Sequence, residues 1–363
     1  MHKKNIKELI KKTNTQIFVT YVAAGIIVLI GVIWFGWLLL NHESATEFIE
    51  EIKQVTEENK DECDTRRSFD GVCMDVKNYD DRLIAVMIEN HTEARPQSGL
   101  ADAAIVYEAP VEANFTRFMA LFPHNTDVNK IGPVRSARPY YLDWLAEYGD
   151  PMYMHVGGSP DALGIIKERE IFDVNEFSRG WYFWRDDARY APHNAYTSDL
   201  LFQSAWEKYG EESESMATSS WTYSDDISCD EECVEEIKVT FALPSYVTRW
   251  KYNTSTTQFE RYQTEGRHKD QNGIEINADT VIIQSVDSRV IDAIGRKKIR
   301  TIGVGEALVF TKGKVTKGTW QKKGIYDKTE WLDLEGNSIP LKPGKIWIEV
   351  VGQDSEYEFT NSK

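Results

Sequence analysis

The chain has 363 residues, of which 41% are hydrophobic, 12% aromatic and 28% charged, a composition typical of globular proteins and unlike that of disordered or fibrous ones. It contains 42 Lys and Arg against 58 Asp and Glu, a net charge of −16. The first twelve residues hold five Lys and one Glu, so the remainder carries a net charge of −20. Because so acidic a body repels phosphate backbones, we exclude a generic nucleic-acid-binding protein and expect no nucleic-acid partner.

An apolar run of 24 residues without a charged side chain, residues 17–40, follows the basic start. It is long enough to span a bilayer and longer than the core of a cleaved signal peptide, which is about 7–15 residues. The lysines before it and the glutamates after it predict a cytoplasmic basic tail (1–16), a single transmembrane signal anchor (17–40) and an extracytoplasmic body. A cleaved signal peptide is the alternative.

The four cysteines fall into two close pairs, Cys63 with Cys73 and Cys229 with Cys233. In an oxidising compartment two local disulfides are the simplest interpretation. Zinc binding is the alternative, although no His lies at zinc-finger spacing beside either pair. The first pair closes a loop in a predicted charged stalk, residues 41–79.

Residues 80–209 alternate predicted strands and helices, which indicates an α/β domain. Apolar runs predict strands at 83–88, 104–107, 115–122 and 152–156. Ser136 is predicted to cap a helix that reaches about Tyr148. Ser159, followed by Pro160, is predicted to cap a second helix that reaches about Glu168.

Residues 210–236 contain ten acidic side chains and no Lys or Arg, which predicts an exposed linker or insertion. Calcium binding is an alternative, although the EF-hand pattern is absent. From 237 to 353, β-rich runs such as IKVTFAL, TVIIQSV and KIWIEVV alternate with Asn, Gly and Asp turns. They predict an all-β, antiparallel second domain, followed by a tail (354–363).

The densest cluster of candidate binding residues lies at the turns before the two predicted helices. Exposed N–H groups at a helix N-terminus bind anions, and a guanidinium group binds phosphate or carboxylate through two parallel hydrogen bonds. We therefore predict an anion-binding pocket formed by Arg117, Arg135, Ser136, Arg138, Gly157, Gly158 and Ser159. The alternative is that these arginines pair with Glu108, Glu112 and Asp143.

The candidate catalytic residues are Ser159, His155, His193 and Asp143. Ser159 does not lie in a G-x-S-x-G elbow, and helix capping explains it. The aromatic run at 181–184, with Arg179, Arg185 and Arg189 nearby, fits either a glycan groove or ordinary packing. His268 and Asp270 are two possible metal ligands without a third, so we predict neither a metal site nor a cofactor.

Several long motifs resemble the YerB-like lipoprotein family over about residues 81–351. The first-domain motifs are RLIAVMIENHTEARPQSGLADAAIVYEAPVEANFTRFMALF, IGPVRSARPYYLDWLAEYGDPMYMHVGGSP and APHNAYTS; those of the second domain are RYQTEGRHKDQNGIEINADTVIIQ and GKVTKGTW. The resemblance implies a two-domain extracytoplasmic envelope protein and supplies no reaction. The family's namesake is anchored by a lipidated Cys, whereas no Cys closely follows the apolar run here, so we expect the transmembrane helix to replace the lipid.

Together these features predict a membrane-anchored bacterial envelope protein that serves as a ligand-binding or scaffold module. Its expected ligand is an anionic cell-wall component or a small anion. The alternative function is that of an envelope hydrolase or transferase acting on phosphate- or glycan-containing polymers.

Overall fold

A computed structural model describes residues 63, 65–75, 80–210, 221–229, 232–264 and 266–362. The predicted basic tail, the predicted membrane span and most of the predicted stalk lie outside the described residues. Within the described residues, no helix combines the length and the apolar character needed to cross a bilayer.

The described residues form 22 strands and four α-helices. The strands before residue 210 are β1 Thr65–Arg66, β2 Cys73–Met74, β3 Leu83–Glu89, β4 Ile105–Pro110, β5 Thr116–Pro123, β6 Met152–His155, β7 Asp173–Asn175, β8 Trp184–Arg185 and β9 Ala195–Tyr196. The helices are α1 Pro139–Leu145, α2 Pro160–Glu168, α3 Glu176–Arg179 and α4 Asp199–Tyr209. The later strands are β10 Val234–Phe241, β11 Val247–Asn253, β12 Gln258–Gln263, β13 Gly266–Arg267, β14 Asn277–Ala278, β15 Thr280–Ser285, β16 Ser288–Val290, β17 Lys297–Ile299, β18 Gly303–Thr311, β19 Lys314–Lys322, β20 Glu330–Asp333, β21 Ile346–Val351 and β22 Ser355–Asn361.

One ten-stranded sheet runs through both halves of the described chain, in the order β20-β19-β18-β15-β21-β4-β5-β3-β6-β7. The halves meet where β21 pairs with β4 in parallel, with Trp347 opposite Val106. The strands predicted from apolar runs in the first half are confirmed, with ends that agree within one residue except that β4 ends three residues later than predicted. The continuity of the sheet across the two halves was not evident in the sequence.

Both faces of this sheet are buried. Strand β3 has seven buried residues in succession, and its side chains alternate between two core clusters, with Ile84, Val86 and Ile88 in one and Leu83, Ala85 and Met87 in the other. Helices α1 and α2 cover the second cluster, whereas α4 and the smaller sheet contribute to the first. A continuous apolar run is the pattern expected of a strand buried on both faces.

The predicted Ser136 cap is wrong, and the Ser159 cap is confirmed. Helix α1 begins at Pro139 after an extended Arg138, because the preceding chain is extended, with Ala137 forming a parallel bridge to Gly158. After Leu145 a short 3-10 turn carries the chain to Tyr148. At α2, the Ser159 Oγ accepts a hydrogen bond from the Ala162 N–H at 3.3 Å.

The second half is rich in β structure, as predicted, but it is not entirely antiparallel. A six-stranded sheet, β13-β12-β11-β10-β22 with β14 paired to β12, is antiparallel throughout. In the larger sheet, however, β15 pairs with β21 in parallel, from Thr280 opposite Ile346 to Ser285 opposite Val351. The long connection between these two strands, which contains β18–β20, makes the parallel pairing possible.

The disulfide prediction is confirmed, because Cys229 is bonded to Cys233 and Cys63 and Cys73 are also disulfide-bonded. The prediction of an exposed acidic linker at 210–236 is wrong at Trp221, whereas Thr222 is exposed and Tyr223 is half-buried. Trp221 is buried and donates a hydrogen bond from Nε1 to the Thr329 carbonyl at 2.7 Å. Tyr223 forms a parallel bridge with Leu341. An aromatic residue in an acidic stretch thus packs into the body instead of remaining in solvent.

Candidate functional site

Two of the predicted anion-binding arginines are held by a carboxylate of the protein itself. Arg138 donates from Nε to Glu112 Oε2 at 2.8 Å and also contacts Oε1 through Nη2. Arg117 lies 3.3 Å from the same carboxylate and donates to the Ser136 carbonyl at 2.7 Å. Burial opposes ionisation of Glu112, but the two arginines outweigh it and lower its pKa to about 2. Both guanidinium groups therefore share one carboxylate, and the three side chains together carry a net charge of +1.

The N–H groups of Gly157 and Ser159, in the turn before α2, also have hydrogen-bond partners within the protein. Gly157 has φ of +60° and donates its N–H to Asn175 Oδ1 at 3.0 Å. The Ser159 N–H donates to the Ala137 carbonyl at 3.3 Å. These two N–H groups therefore link the turn before α2 to β7 and to the segment before α1.

The other catalytic candidates in this region have structural partners. His155 is completely buried, and its ring contacts the Gly157 carbonyl at 2.7 Å and Asp173 Oδ2 at 3.2 Å. Asp143 accepts from Arg169 Nη1 at 2.8 Å and from the Thr301 hydroxyl at 2.7 Å. Neither residue has Ser159 as its hydrogen-bond partner. The three therefore form no catalytic unit.

The aromatic run does not form an open stacking platform. Tyr182 and Phe183 are buried, whereas Trp181 is exposed. Nearby, Arg179 covers the Tyr209 ring at 4.1 Å. One exposed ring among these neighbours favours packing over a glycan groove.

Arg135 differs from the other predicted arginines because it leads to His193. Its Nε lies 2.9 Å from Glu89 Oε1, and Oε2 of the same carboxylate lies 2.9 Å from His193 Nδ1. Glu89 is only 5% exposed. The carboxylate therefore orients the imidazole, and it forms an ion pair with the guanidinium group that lacks hydrogen-bond geometry.

Two further residues extend this arrangement toward solvent. His193 Nε2 lies 3.1 Å from Glu93 Oε2, and the Glu93 side chain is 71% exposed. The His91 ring stacks on the His193 ring with centroids 4.8 Å apart and planes 16° apart. We call Glu89, His91, Glu93, Arg135 and His193 the His193 cluster. Glu89 lies at the buried end of the cluster, and Glu93 lies at the end that is exposed to solvent.

Backbone pairing brings the three parts of the cluster together. Glu89 ends β3, and its N–H donates to the Pro133 carbonyl at 2.9 Å. The Arg135 N–H donates to the Met87 carbonyl at 2.8 Å, and the Val134 N–H donates to the Ala195 carbonyl at 2.6 Å. The end of β3, the segment before α1 and the loop before β9 therefore have fixed relative positions. Arg135 and His193 were predicted from the sequence, whereas Glu89, His91 and Glu93, which lie in the ENHTE motif at 89–93, were not.

A buried polar network lies behind the cluster and joins the two halves of the chain. Arg261 is fully buried and pairs with Glu108, which is 1% exposed. Arg261 Nη1 also lies 2.6 Å from His268 Nδ1, and His268 Nε2 lies 3.0 Å from Gln97 Oε1. Glu108 accepts from Asn90 at 3.0 Å. We call these five residues the buried network.

The buried network explains two residues suspected of metal binding. Burial and the neighbouring arginines lower the pKa of His268 well below its ordinary value, so the ring is neutral and occupied by its two partners. Asp270 accepts from the Leu100 and Ala101 N–H groups at 3.2 and 2.9 Å. Both side chains therefore connect the two halves of the chain.

A separate cavity of about 260 Å³ lies beside β20 and includes Trp221, Lys328, Thr329 and Trp331 in its lining. The Lys328 Nζ lies 3.6 Å from the centre of the Tyr148 ring and 4.1 Å from that of Trp221. Burial lowers the pKa of Lys328 to about 7, although nearby Glu147 opposes this shift. The sequence analysis did not single out this lysine.

The fold and the site define a two-domain, strand-rich protein with a histidine–carboxylate cluster in its first domain. The chain belongs to the family described as "Protein of unknown function (DUF3048)", whose N-terminal domain matches residues 70–212 and whose C-terminal domain matches residues 237–348. The YerB-like resemblance inferred from the sequence is thereby confirmed.

Two comparisons point to the same Bacillus subtilis protein. The chain is 29% identical over 293 residues to "Putative lipoprotein YerB" of Bacillus subtilis (strain 168), covering 77% of this chain and 84% of the relative. The crystal structure of the YerB protein from Bacillus subtilis matches with a TM-score of 0.72 at 27% identity, covering 81% of this chain and 99% of that one.

Proposed function

We propose that the chain is a membrane-anchored, extracytoplasmic ligand-binding protein of the bacterial cell envelope, and that its ligand binds at the His193 cluster. The observation that carries the proposal is the chain of contacts Arg135–Glu89–His193, with both distances at 2.9 Å. A buried carboxylate that orients an imidazole toward solvent is a preorganised recognition group, because little ordering remains to be paid for on binding.

The charges and donors of the cluster do not favour the anionic ligand expected from the sequence. Glu89 pairs with Arg135, and the single charge of Glu112 is shared by Arg117 and Arg138. At the open end, Glu93 and the two imidazoles present lone pairs at close range. We therefore expect a ligand that accepts electron pairs or donates protons at this end.

The proposed location rests on the apolar run at 17–40 and on the name of the relative, since a lipoprotein is attached to a membrane. The disulfides agree with an oxidising compartment. A test is to introduce Leu334→Cys, at a site that is 79% exposed, and to treat intact cells with a membrane-impermeant maleimide. We expect labelling of the variant without lysis and none of the wild type, whose described cysteines are all disulfide-bonded. Labelling that requires lysis contradicts the proposed location.

Ligand binding is tested with the full chain in detergent and soluble peptidoglycan fragments as the probe. We expect the fragments to raise the midpoint of thermal unfolding of the wild type and to leave that of His193→Gln unchanged. His124→Gln is the matched control, because His124 contacts Asp80 and Trp206 instead of the cluster. An absent shift, or an equal shift in His193→Gln, contradicts binding at this site.

A second candidate function is hydrolysis in the envelope. It is favoured by the Glu89–His193 pair, since an imidazole oriented by a buried carboxylate is the arrangement of a general base. Among the described residues, the two ring nitrogens contact carboxylates and no hydroxyl or thiol, so water would be the nucleophile. Release of product from the same peptidoglycan fragments, lost in His193→Gln, would favour this candidate.

A further inference from the structure

We propose that His91, Glu93 and His193 bind a divalent transition-metal ion, for which zinc is the best example. The inference rests on the proposed ligand site and names the class of ligand. One atom from each of these three side chains lies within 4.8 Å of the other two. Two imidazoles and one carboxylate, with a fourth position left open, are a donor set that zinc uses in proteins.

The contact between His193 and Glu93 is already close to the spacing of metal ligands. Nε2 of His193 and Oε2 of Glu93 lie 3.1 Å apart. Two ligands on a tetrahedral zinc ion, with bonds of about 2.0–2.1 Å, lie about 3.3 Å apart. If His193 donates its Nδ1 proton to Glu89, both facing atoms carry lone pairs, and a cation relieves their repulsion.

Glu89 and Arg135 supply the outer support that such a site needs. Histidines that bind metal commonly donate their second ring N–H to a carboxylate, which fixes the tautomer and makes the imidazole a better ligand. Glu89 accepts from His193 Nδ1 at 2.9 Å, and Arg135 Nε lies 2.9 Å from the other carboxylate oxygen as its ion-pair partner. The supporting carboxylate is buried, whereas the candidate ligands face the solvent side.

Only the outer ligands need to move to close the site. The ring of His91 lies parallel to that of His193, and its Nδ1 accepts from the Glu93 N–H at 3.3 Å, which caps the following 3-10 turn. The Glu93 side chain is 71% exposed and can turn in solvent. A turn of the His91 ring gives up its cap bond and its edge-on contact with Phe115 at 5.0 Å. Imidazole and carboxylate donors favour zinc, cobalt or nickel over magnesium or calcium.

The experiment is a titration of the full, untagged chain in detergent with ZnCl₂ in competition with a chromogenic chelator, together with absorption spectra in CoCl₂. We expect one zinc equivalent at the cluster and the visible bands of four-coordinate cobalt. His91→Gln, Glu93→Gln and His193→Gln should each lose this equivalent. Glu89→Gln should weaken binding by roughly 10- to 100-fold, as outer-shell substitutions do. His124→Gln should bind as the wild type does.

Loss of zinc binding in Glu93→Gln can be separated from loss of folding, because the Glu93 side chain is 71% exposed and its replacement changes no core residue. A wild type that binds no zinc, or a Glu93→Gln and His193→Gln pair that bind as tightly as the wild type, overturns the inference. If peptidoglycan fragments still shift the wild type and not His193→Gln, the metal inference fails while the proposed function stands. If zinc binds at the cluster but the fragments have no effect, the metal inference stands and the binding of cell-wall fragments fails.

Discussion

Arg261 and Glu108, which are 153 residues apart in the sequence, form an ion pair in which the side chains are 0% and 1% exposed. Arg261 also packs its guanidinium group over the Trp347 ring at 4.5 Å. Because Glu108 lies on β4 and Arg261 on β12, the pair joins the ten-stranded sheet to the smaller sheet. Burial and the charge of neighbouring Glu108 raise the pKa of Glu349 well above its ordinary value.

Replacing Arg261 with Met should strongly destabilise the whole body. The change leaves the buried Glu108 carboxylate without its counter-ion, and removing one partner of a buried pair costs about 3–5 kcal/mol. Arg300→Met is the matched control, because Arg300 pairs with Asp287 at the surface, where both side chains are about half exposed. Denaturant unfolding of the full chain measures both changes in the free energy of unfolding. Equal losses in the two variants would contradict a special role for the buried pair.

The Glu112 carboxylate should stabilise the fold in a way that depends on pH. Its pKa is about 2 in the folded protein against an ordinary value of 4.5, so its contribution is present above pH 4.5 and is lost as the pH falls toward 2. The difference in free energy of unfolding between the wild type and Glu112→Gln should therefore shrink over this range. Denaturant unfolding at a series of pH values checks it. A difference that stays constant would show that Arg117 and Arg138 do not hold Glu112 as a charge.

Lys328, unlike Glu112, should lower the free energy of unfolding near pH 7, because its burial in the folded protein disfavours the charged form. Its pKa is about 7 when folded and 10.5 ordinarily. Between these values the unfolded chain binds more protons, so stability rises with pH from 7 to about 10.5, and below pH 7 the penalty is fully present. Lys328→Met should be more stable than the wild type near pH 7. Its free energy of unfolding should rise less than that of the wild type between pH 7 and about 10.5. The same slope in both proteins would contradict the burial of the ammonium group.

Gly132 should resist substitution because it lies between the segments that position the cluster. Its φ is +142°, and an added Cβ would lie 2.8 Å from the Ala195 carbonyl oxygen. Gly273, with φ of +89° and open space around the added atom, is the control for backbone strain alone. We expect Gly132→Ala to lose about 1–3 kcal/mol more than Gly273→Ala, the range for overpacking. Comparable losses in unfolding experiments would contradict steric crowding at Gly132.

Features that depend on neighbouring residues could be predicted from the sequence. The run at 83–88 predicted a strand buried on both faces, and Ser159 followed by Pro160 predicted a helix start, because each pattern acts over a few residues. The close cysteine pairs likewise predicted local disulfides. The prediction at Ser136 was wrong because a long-range bridge between Ala137 and Gly158 keeps this segment extended.

Features that depend on distant partners could not be predicted. Pairing of Arg138 with Glu112 was one of two alternatives that the sequence left open, and nothing near β4 in the sequence indicates that β21 lies beside it. The His193 cluster combines residues 89–93, 135 and 193, which meet only through backbone pairing across three segments. His193 could be named as a candidate from its loop, but its carboxylate partners required the structure.

The most direct test of the account is to crystallise the full chain with zinc and to measure anomalous diffraction at the zinc edge. The account predicts a peak bounded by His91 and His193 nitrogens and a Glu93 oxygen, with Glu89 still contacting Nδ1 of His193, and no such peak in crystals of Glu93→Gln. A zinc peak elsewhere with none at the cluster, or an undiminished peak in the variant, would contradict the assignment of the His193 cluster as the ligand site.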